Sequence, residues 1–437
     1  MNMKDGIYDV KELSKGKVLM LGLQHMFAMF GATVLVPLLT GLDVSTTLLF
    51  AGLGTLLFHA ISKGKVPAFL GSSFAFLGGY GAVAPLLEDG SSNIEMLPYA
   101  CFGVACAGLV YAVFAALIKV FSAEKVMAFF PPVVTGPIII AIGLTLSKSA
   151  IDSCNSNWVI ALVAIIVVII CNIYGKGMIK IIPILLGVVA SYIVAILMGE
   201  VDFTPVKEAA WFGFPIRMEM TVFALFGENF DSSSKLIASV LTIMPIAFAT
   251  IVEHVGDISA ISSTTGMNYI KEPGLHRTML GDGLATMFSS LFGGPANTTY
   301  GENTGVLNLS KVYDPKVVRL AAVFAILFSF CPKIASIIQV MPTATVGGIS
   351  LILYGMISAV GVRNVVENQV NFTKSRNVII AALILVLSIG VNYSAAGAIV
   401  FQIGEITLSL SGLAAGALVG IVLNAILPEK DFQFNAT

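Results

Sequence analysis

The feature that most constrains this chain is a succession of apolar stretches, each long enough to cross a bilayer and each closed off by a few charged residues. Between flanking charges they run over 18–42, 44–62, 66–87, 96–118, 126–147, 153–175, 181–199, 236–252, 283–301, 334–362, 377–404 and 406–428. A weaker apolar piece lies at 320–332 and a short polar one at 303–310. Roughly 20 apolar residues in a helix cross about 30 Å of hydrocarbon. Helices are the expected spanning element, because lipid offers nothing to bare backbone N–H and C=O groups. The alternating strands of a membrane barrel are missing from the pattern. Merged and split at their charges, the stretches predict about 12 to 14 crossings, with 14 the preferred reading.

Composition closes off the alternative. Hydrophobic residues make up 57% of the 437 and charged residues 11%, against about a quarter charged in soluble domains. Such a chain cannot cover a soluble surface. A net charge of −1 without a basic patch argues against nucleic acid as a partner.

Lys and Arg orient the segments. With 14 crossings and the N-terminus inside, the outside loops keep only Lys148, Lys207, Arg217, Lys235 and Lys333 of the 24 basic residues. The rest, from Lys4 to Lys430, fall inside, whereas Glu88, Asp89, Glu95, Glu200, Asp202 and Glu228 fall outside. Both termini are therefore expected in the cytoplasm. The first segment has no small-residue cleavage site and reads as a retained anchor. Cys101, Cys106, Cys154, Cys171 and Cys331 show no paired spacing and read as packing residues.

The longest polar interruption, about 200–235, carries Trp211, Phe212 and Phe214 and divides the chain into halves of seven segments. An odd number per half turns the second half upside down, the plan of many secondary transporters. Internal echoes agree. Pro131-Pro132-Val133-Val134-Thr135-Gly136-Pro137-Ile138 matches Pro342-Thr343-Ala344-Thr345-Val346-Gly347-Gly348-Ile349 in the spacing of Pro and Gly, and Gln24-His25 echoes Glu253-His254. The third segment of each half is rich in Gly, Pro and hydroxyls: Gly71-Ser72-Ser73-Phe74 in one, Gly293 to Gly305 in the other. Interrupted pairs of this kind mark a binding site at the bilayer midplane. Ser72–Phe76 and Thr298–Tyr300 are expected to be extended, since irregular backbone at that depth is tolerated where it lines a cavity.

Carboxylates in an apolar chain are rare and functional by default. Glu253 and Asp257, four apart, share a helical face. Glu302 follows the break at Gly301. A carboxylate in a low dielectric can carry a proton near neutral pH, which suits a proton-coupled carrier. Asp282 reads as structural and Glu405 as a hinge or bundle contact. His25, beside Gln24, has a better case for function than His254. Glu253-His254-x-x-Asp257 lacks the HExxH order, so no metal site is expected. Phe74, Phe76 and Tyr300 offer flat walls for a planar ligand.

Four separated motifs resemble the nucleobase–ascorbate transporter family across essentially the whole chain. Glu302-Asn303-x-Gly305-x-x-x-x-Ser310-Lys311 is similar to its signature, with Ser310 and Lys311 replacing the more usual Thr and Arg. Gln24-His25 with Phe30-Gly31-Ala32, Gly71-Ser72-Ser73-Phe74 and Glu253-His254-x-Gly256-Asp257 are similar to its first-, third- and eighth-segment motifs. Glu in first place in the signature resembles the uracil carriers of the family; Asp257, where some of these have His, resembles its purine carriers.

The resemblance implies an all-helical membrane fold of 14 segments in two inverted sevens, with short strands in the third and tenth. It implies a core domain from 1–122 and 235–332, a gate domain from 123–234 and 333–437, and a homodimer in the cytoplasmic membrane. The implied activity is proton-coupled uracil uptake by alternating access, driven by the proton gradient without a cofactor; xanthine or urate is the alternative cargo. Carried over by position, Glu253 and Glu302 meet the ring N–H groups, and backbone N–H groups of Phe74 and Gly301 meet the ring carbonyls. Ala32 and Tyr300 pack on the ring and Tyr354 approaches from the gate. Glu253, Glu302, Asp257 and His25 serve proton coupling, supported by Gln24, Ser72 and Asn303. A membrane-embedded enzyme is not expected, because no nucleophile–base pair appears.

Overall fold

A computed structural model describes residues 6–226, 233–403 and 406–429. Lys4, Glu228, Glu405 and Lys430, each counted or singled out above, lie outside them.

The main elements run in chain order as follows. Helix α1 (Lys15–Thr40) is capped by the Ser14 hydroxyl and closed by Gly41, which takes the left-handed conformation. Helix α2 (Val44–Ile61) starts on Asp43, whose carboxylate accepts from the Thr46 amide at 2.8 Å. Strand β1 (Leu70–Ser72), helix α3 (Leu77–Val83) and helix α4 (Leu97–Phe121) follow. Next come α5 (Pro132–Thr145), α6 (Ser147–Cys154), α7 (Trp158–Tyr174) and α8 (Pro183–Leu197). Beyond the polar middle lie α9 (Ser233–Ile243), α10 (Ala247–Thr265), α11 (Leu275–Leu291), β2 (Asn297–Thr299), α12 (Gly301–Ser310), α13 (Pro315–Ser329) and α14 (Pro332–Gln339). The chain closes with α15 (Thr343–Glu367), α16 (Ser375–Asn392), β3 (Ala398–Ile403), β4 (Ile406–Ser411) and α17 (Gly412–Ile426).

Among the described residues, seven helical stretches are long and apolar enough to cross a membrane, or up to eight if α13 and α14, bent by 85°, count as one. The chain is a multi-pass membrane protein.

Two packing groups stand out. In one, α11 lies on α4 and α2, α13 on α2 and α1, and α12 on α1 and α10. The α4–α11 contact is close because each helix places a glycine at the crossing: a Cβ on Gly283 would stand 2.3 Å from Tyr111 Cβ, and one on Gly108 2.6 Å from the Gly283 carbonyl. Small residues let membrane helices approach until their backbones touch. In the other group, α15 packs on α5, α6 and α7, and α16 on α17 and α5. Contacts of α10 with α5 and α17, and of α1 with α8, join the groups.

Several apolar stretches read above as continuous are broken. Residues 377–404 and 406–428 hold helices of 18 and 15 residues with a two-stranded antiparallel ladder between them, Ala398 opposite Ser411. The run Ile406-Thr407-Leu408-Ser409-Leu410-Ser411 has the period of two that favours a strand. Stretch 334–362 breaks at Pro342, which precedes α15. Stretch 236–252 turns through a short tight helix at Met244–Ile246 and runs on to Thr265, so Glu253 and Asp257 lie mid-helix rather than at its edge.

Candidate functional site

The two interrupted segments meet. Strands β1 and β2 pair antiparallel, with Leu70 opposite Thr299, Gly71 opposite Thr298 and Ser72 opposite Asn297. Two further backbone bonds extend the ladder: Tyr300 N–H donates to Phe69 O at 3.0 Å and Ser73 N–H to Ala296 O at 2.8 Å. Strands this short leave outer edges bare, and buried backbone polar groups need partners. Hydroxyls supply them. Thr55 Oγ1 accepts from Leu70 N–H at 2.9 Å and donates to Leu70 O at 3.2 Å. Thr286 Oγ1 does the same for Asn297, at 3.1 and 2.9 Å. The Asn297 amide donates to Phe50 O at 3.1 Å.

Each strand then runs into a helical turn whose cap residue gives no side-chain hydrogen bond: Ser73 before Phe74–Phe76, and Tyr300 before α12. The first N–H groups of a helix lack intrahelical partners. The amides around Phe74 and Gly301 are thus placed to receive acceptors from a ligand.

Tyr300 is locked rather than loose. Its hydroxyl donates to Ser72 O at 2.9 Å and accepts from Thr33 Oγ1 at 3.4 Å, while Ser72 Oγ donates to Thr33 O at 3.0 Å. The ring fills the space above Gly71, where a Cβ would stand 2.5 Å from it and 2.7 Å from Thr33 Oγ1. Ala32 is fully buried in α1. Phe74 meets Tyr354 of α15 edge to face, centroids 5.8 Å apart at 76°.

The acidic residues lie on α10 and α12. Glu253, Gly256 and Asp257 are half-buried on one face of α10, and Glu302 is half-buried in the first turn of α12. Glu253 lies within electrostatic reach of Asp257, Asp282 and Glu302. A Cβ built on Gly256, Gly301 or Gly305 would meet nothing within 4 Å, so these positions border open space. Asp257 Oδ2 accepts from Thr299 Oγ1 at 2.6 Å, which ties α10 to β2.

Asn303 Nδ2 donates to His25 O at 2.9 Å and lies 3.1 Å from His25 Nδ1, joining α12 to α1. The carbonyl accepts only, so the NH₂ end faces His25, whose Nδ1 then accepts and Nε2 carries the proton. Gln24 is buried beside it without a polar partner among the described residues. His254 and Asp282 are fully buried together, Nδ1 2.8 Å from Oδ2, with His254 Nε2 3.1 Å from Thr278 Oγ1. No cluster of three or more His, Cys, Asp or Glu able to hold a metal occurs among the described residues.

Thr33 was not singled out from the sequence, and Thr299 was named only as part of an extended stretch, yet they carry much of the framework. Their signal was weak: two threonines among many, each meaningful only once its partner is in place.

A mostly helical membrane protein with paired strands at two breaks, walls of aromatic rings and a group of half-buried acids has the build of a secondary transporter. Residues 16–397 match the profile of the Permease family, and the chain belongs to this family of nucleobase–ascorbate transporters; it is a permease and not an enzyme. It is 40% identical over 442 residues to the uracil permease of Bacillus caldolyticus, covering 98% of this chain and 96% of that protein. Identity is 38% to the uracil permease of Bacillus subtilis (93% and 92% covered) and 37% to that of Escherichia coli K12 (93% and 90%). Two solved structures share the fold. The transmembrane domain of the cyanobacterial bicarbonate transporter BicA gives a TM-score of 0.61 at 16% identity, covering 96% of this chain and 99% of that one. The inward-facing murine Solute Carrier 26 family member A9 anion transporter gives 0.63 at 13%, covering 96% and 69%.

Proposed function

We propose that this permease carries uracil into the cell together with a proton, by alternating access. The observation that supports it most is that Glu253, Asp257 and Glu302 lie within electrostatic reach of one another, on α10 and in the first turn of α12, while the turns that follow the paired strands, at Phe74 and Gly301, have no side-chain cap. Uracil offers two N–H donors and two carbonyl acceptors on a flat neutral ring. Carboxylates complement the donors and bare amides the acceptors. A base with a donor misplaced leaves a buried group unpaired, at about 1–3 kcal/mol each, which gives selectivity without charge on the ligand.

On this reading Glu253 and Glu302 hold the ring N–H groups, Tyr300 and Ala32 pack against the ring, and Tyr354 reaches in through Phe74. One carboxylate, Glu253 or Glu302, takes a proton from outside before the base binds, with Asp257 and His25 tuning the exchange and Gln24, Ser72 and Asn303 in support. Neutralising a carboxylate lowers the cost of carrying the group of acids past the apolar partner helices.

The architecture proposed with it has 14 spans, if the shorter helices α7, α8, α11, α13 and α17 and the two strand-broken segments are counted with the long ones. They form two inverted sevens, with both termini in the cytoplasm. The core is 1–122 with 235–332 and the gate 123–234 with 333–437, the chain working as a homodimer in the cytoplasmic membrane.

The test is uptake of labelled uracil by the purified protein in proteoliposomes, with and without an acid-outside gradient. Saturable uptake raised by the gradient and abolished by a protonophore is the expected result. Uptake indifferent to the protonophore defeats the coupling. Asp257 favours a purine as the second reading, and stronger competition by unlabelled xanthine or urate than by uracil would establish it.

A further inference from the structure

The residues ahead of α1 form a strap. Ile7 pairs with Val312 in a parallel bridge: Ile7 N–H donates to Lys311 O and Tyr313 N–H to Ile7 O, both at 2.8 Å. Val10 N–H donates to Asp314 Oδ2 at 2.9 Å, and Lys316 Nζ stands 3.5 Å from Asp9 Oδ1. Ile7, Val10 and Leu13 pack on Leu21, Val312 and Val317. The Tyr8 ring meets that of Tyr313 at a tilt of 56°, centroids 5.3 Å apart, and its hydroxyl donates to Thr265 O at 2.5 Å. Thr265 is the last residue of α10, and Lys311 is the C-cap of α12. One strap therefore ties together the far ends of the two helices that carry Glu253, Asp257 and Glu302.

Helix α12 needs such a tie. Of its ten residues only Asn303, Val306 and Leu307 are buried, and its glycines border open space. A short helix packed along one line resists tilting mainly through its ends. At the near end Asp257 and Thr299 join α10 to the strand that feeds α12. At the far end, about 14 Å beyond Glu302 and about 18 Å beyond Glu253 at 1.5 Å per residue, the strap closes the frame.

We propose that Tyr8 is a positioning residue for the carboxylate pair: the strap sets the tilt of α12 against α10, and so the spacing of Glu302 and Glu253. This rests on the reading of those carboxylates as the nucleobase site. Tyr8→Phe removes the bond to Thr265 while keeping the ring on Tyr313. Ile7→Pro removes the amide that meets Lys311 O, and Ile7→Val, which keeps it, is the control.

Two readouts on the full chain decide the matter: hydrogen–deuterium exchange in nanodiscs, and uracil uptake in proteoliposomes. Expected for Tyr8→Phe and Ile7→Pro are faster exchange in both 258–267 and 300–313, and a KM raised about 3- to 10-fold, the loss of one hydrogen bond or so, with Vmax within about twofold. Ile7→Val should match the parent. Unchanged exchange in Tyr8→Phe overturns the proposal, and so does a fall in Vmax alone with KM unmoved, which would make the strap a mere tether. If the parent protein takes up no uracil, the transport reading falls, and the exchange data alone then judge the strap: faster exchange in both segments upholds it, unchanged exchange sinks it.

Discussion

Where β1 leaves the strand pair, Ser72 through Phe76 are all buried, and no charged residue occurs between Val66 and Val83. Where β2 leaves it, Gly301 and Gly305 border open space and Glu302 follows at once, within electrostatic reach of the acids of α10. The same device, a short strand running into a helical turn, thus serves two ends. The first half supplies shape, through backbone amides, the Gly71 floor and the Phe74 edge. The second half supplies charge. Buried shape cannot yield easily, whereas a carboxylate that takes up and releases a proton, as proposed for Glu253 or Glu302, needs room beside it. Their asymmetry suits the proposed cargo, a neutral, planar ring with donors and acceptors.

The sharpest way to break this comparison is to remove charge from the second half alone. Glu302→Gln and Glu253→Gln keep the shape of the side chain and lose its charge. A hydrogen bond to a charged group contributes about 1.5–3 kcal/mol, so each variant should lose about 10- to 100-fold in uracil uptake per molecule, with thermal stability near the parent's. Parent-level uptake by either variant removes that residue from the site. Equal losses from charge-neutral changes along β1 would dissolve the division between the halves.

Next in size is a change of shape on the first half. In Gly71→Ala the new methyl stands 2.5 Å from a Tyr300 ring that cannot swing aside, because its hydroxyl is held by Ser72 O and Thr33. Overpacking of this kind costs about 1–3 kcal/mol. A lower melting temperature in detergent and about a tenfold loss of uptake should appear together, unlike the Glu variants. A stable, fully active Gly71→Ala protein would mean that the floor of the site is not where Tyr300 and Gly71 put it.

What could be read before the structure follows the same divide. The charged half was legible, because Glu253, Asp257 and Glu302 stand out against an apolar background and helical spacing puts two of them on one face. Extended backbone was expected over 72–76 and 298–300 from glycine, proline and hydroxyls where leucine would be ordinary; the strands run over 70–72 and 297–299, and 74–76 is instead a tight helical turn, because the chain turns into α3 as soon as the ladder ends. The framework was not. Thr33, Thr55, Thr286 and Thr299 act through partners between 11 and 267 positions away, and no local pattern marks a hydroxyl that closes a strand edge. The ladder at 398–411 was missed for a different reason: length and hydrophobicity outweighed the alternation in 406–411, although the alternation was in view. The N-terminal strap was passed over because its binding power lies in backbone groups and one tyrosine.

The smallest expected effect tests whether the two halves are mechanically joined. Thr299 sits in β2 opposite Leu70, so its position is set by the first half, yet its hydroxyl donates to Asp257. Thr299→Val keeps the volume and removes the donor; Asp257→Asn keeps the shape and removes the charge. If Thr299 acts through Asp257, each single change should lower uptake about 3- to 10-fold, the scale of one ordinary hydrogen bond, and the double variant should be no worse than the poorer single. Residues in one hydrogen-bond pair show such coupling, whereas independent sites add. Multiplying losses would mean that Thr299 serves only the strand and that the acid of α10 is held by something else. Coupled losses would mean that the strand pair, beyond shaping the floor, aims a carboxylate, so that any motion of β1 is felt at the charge on α10.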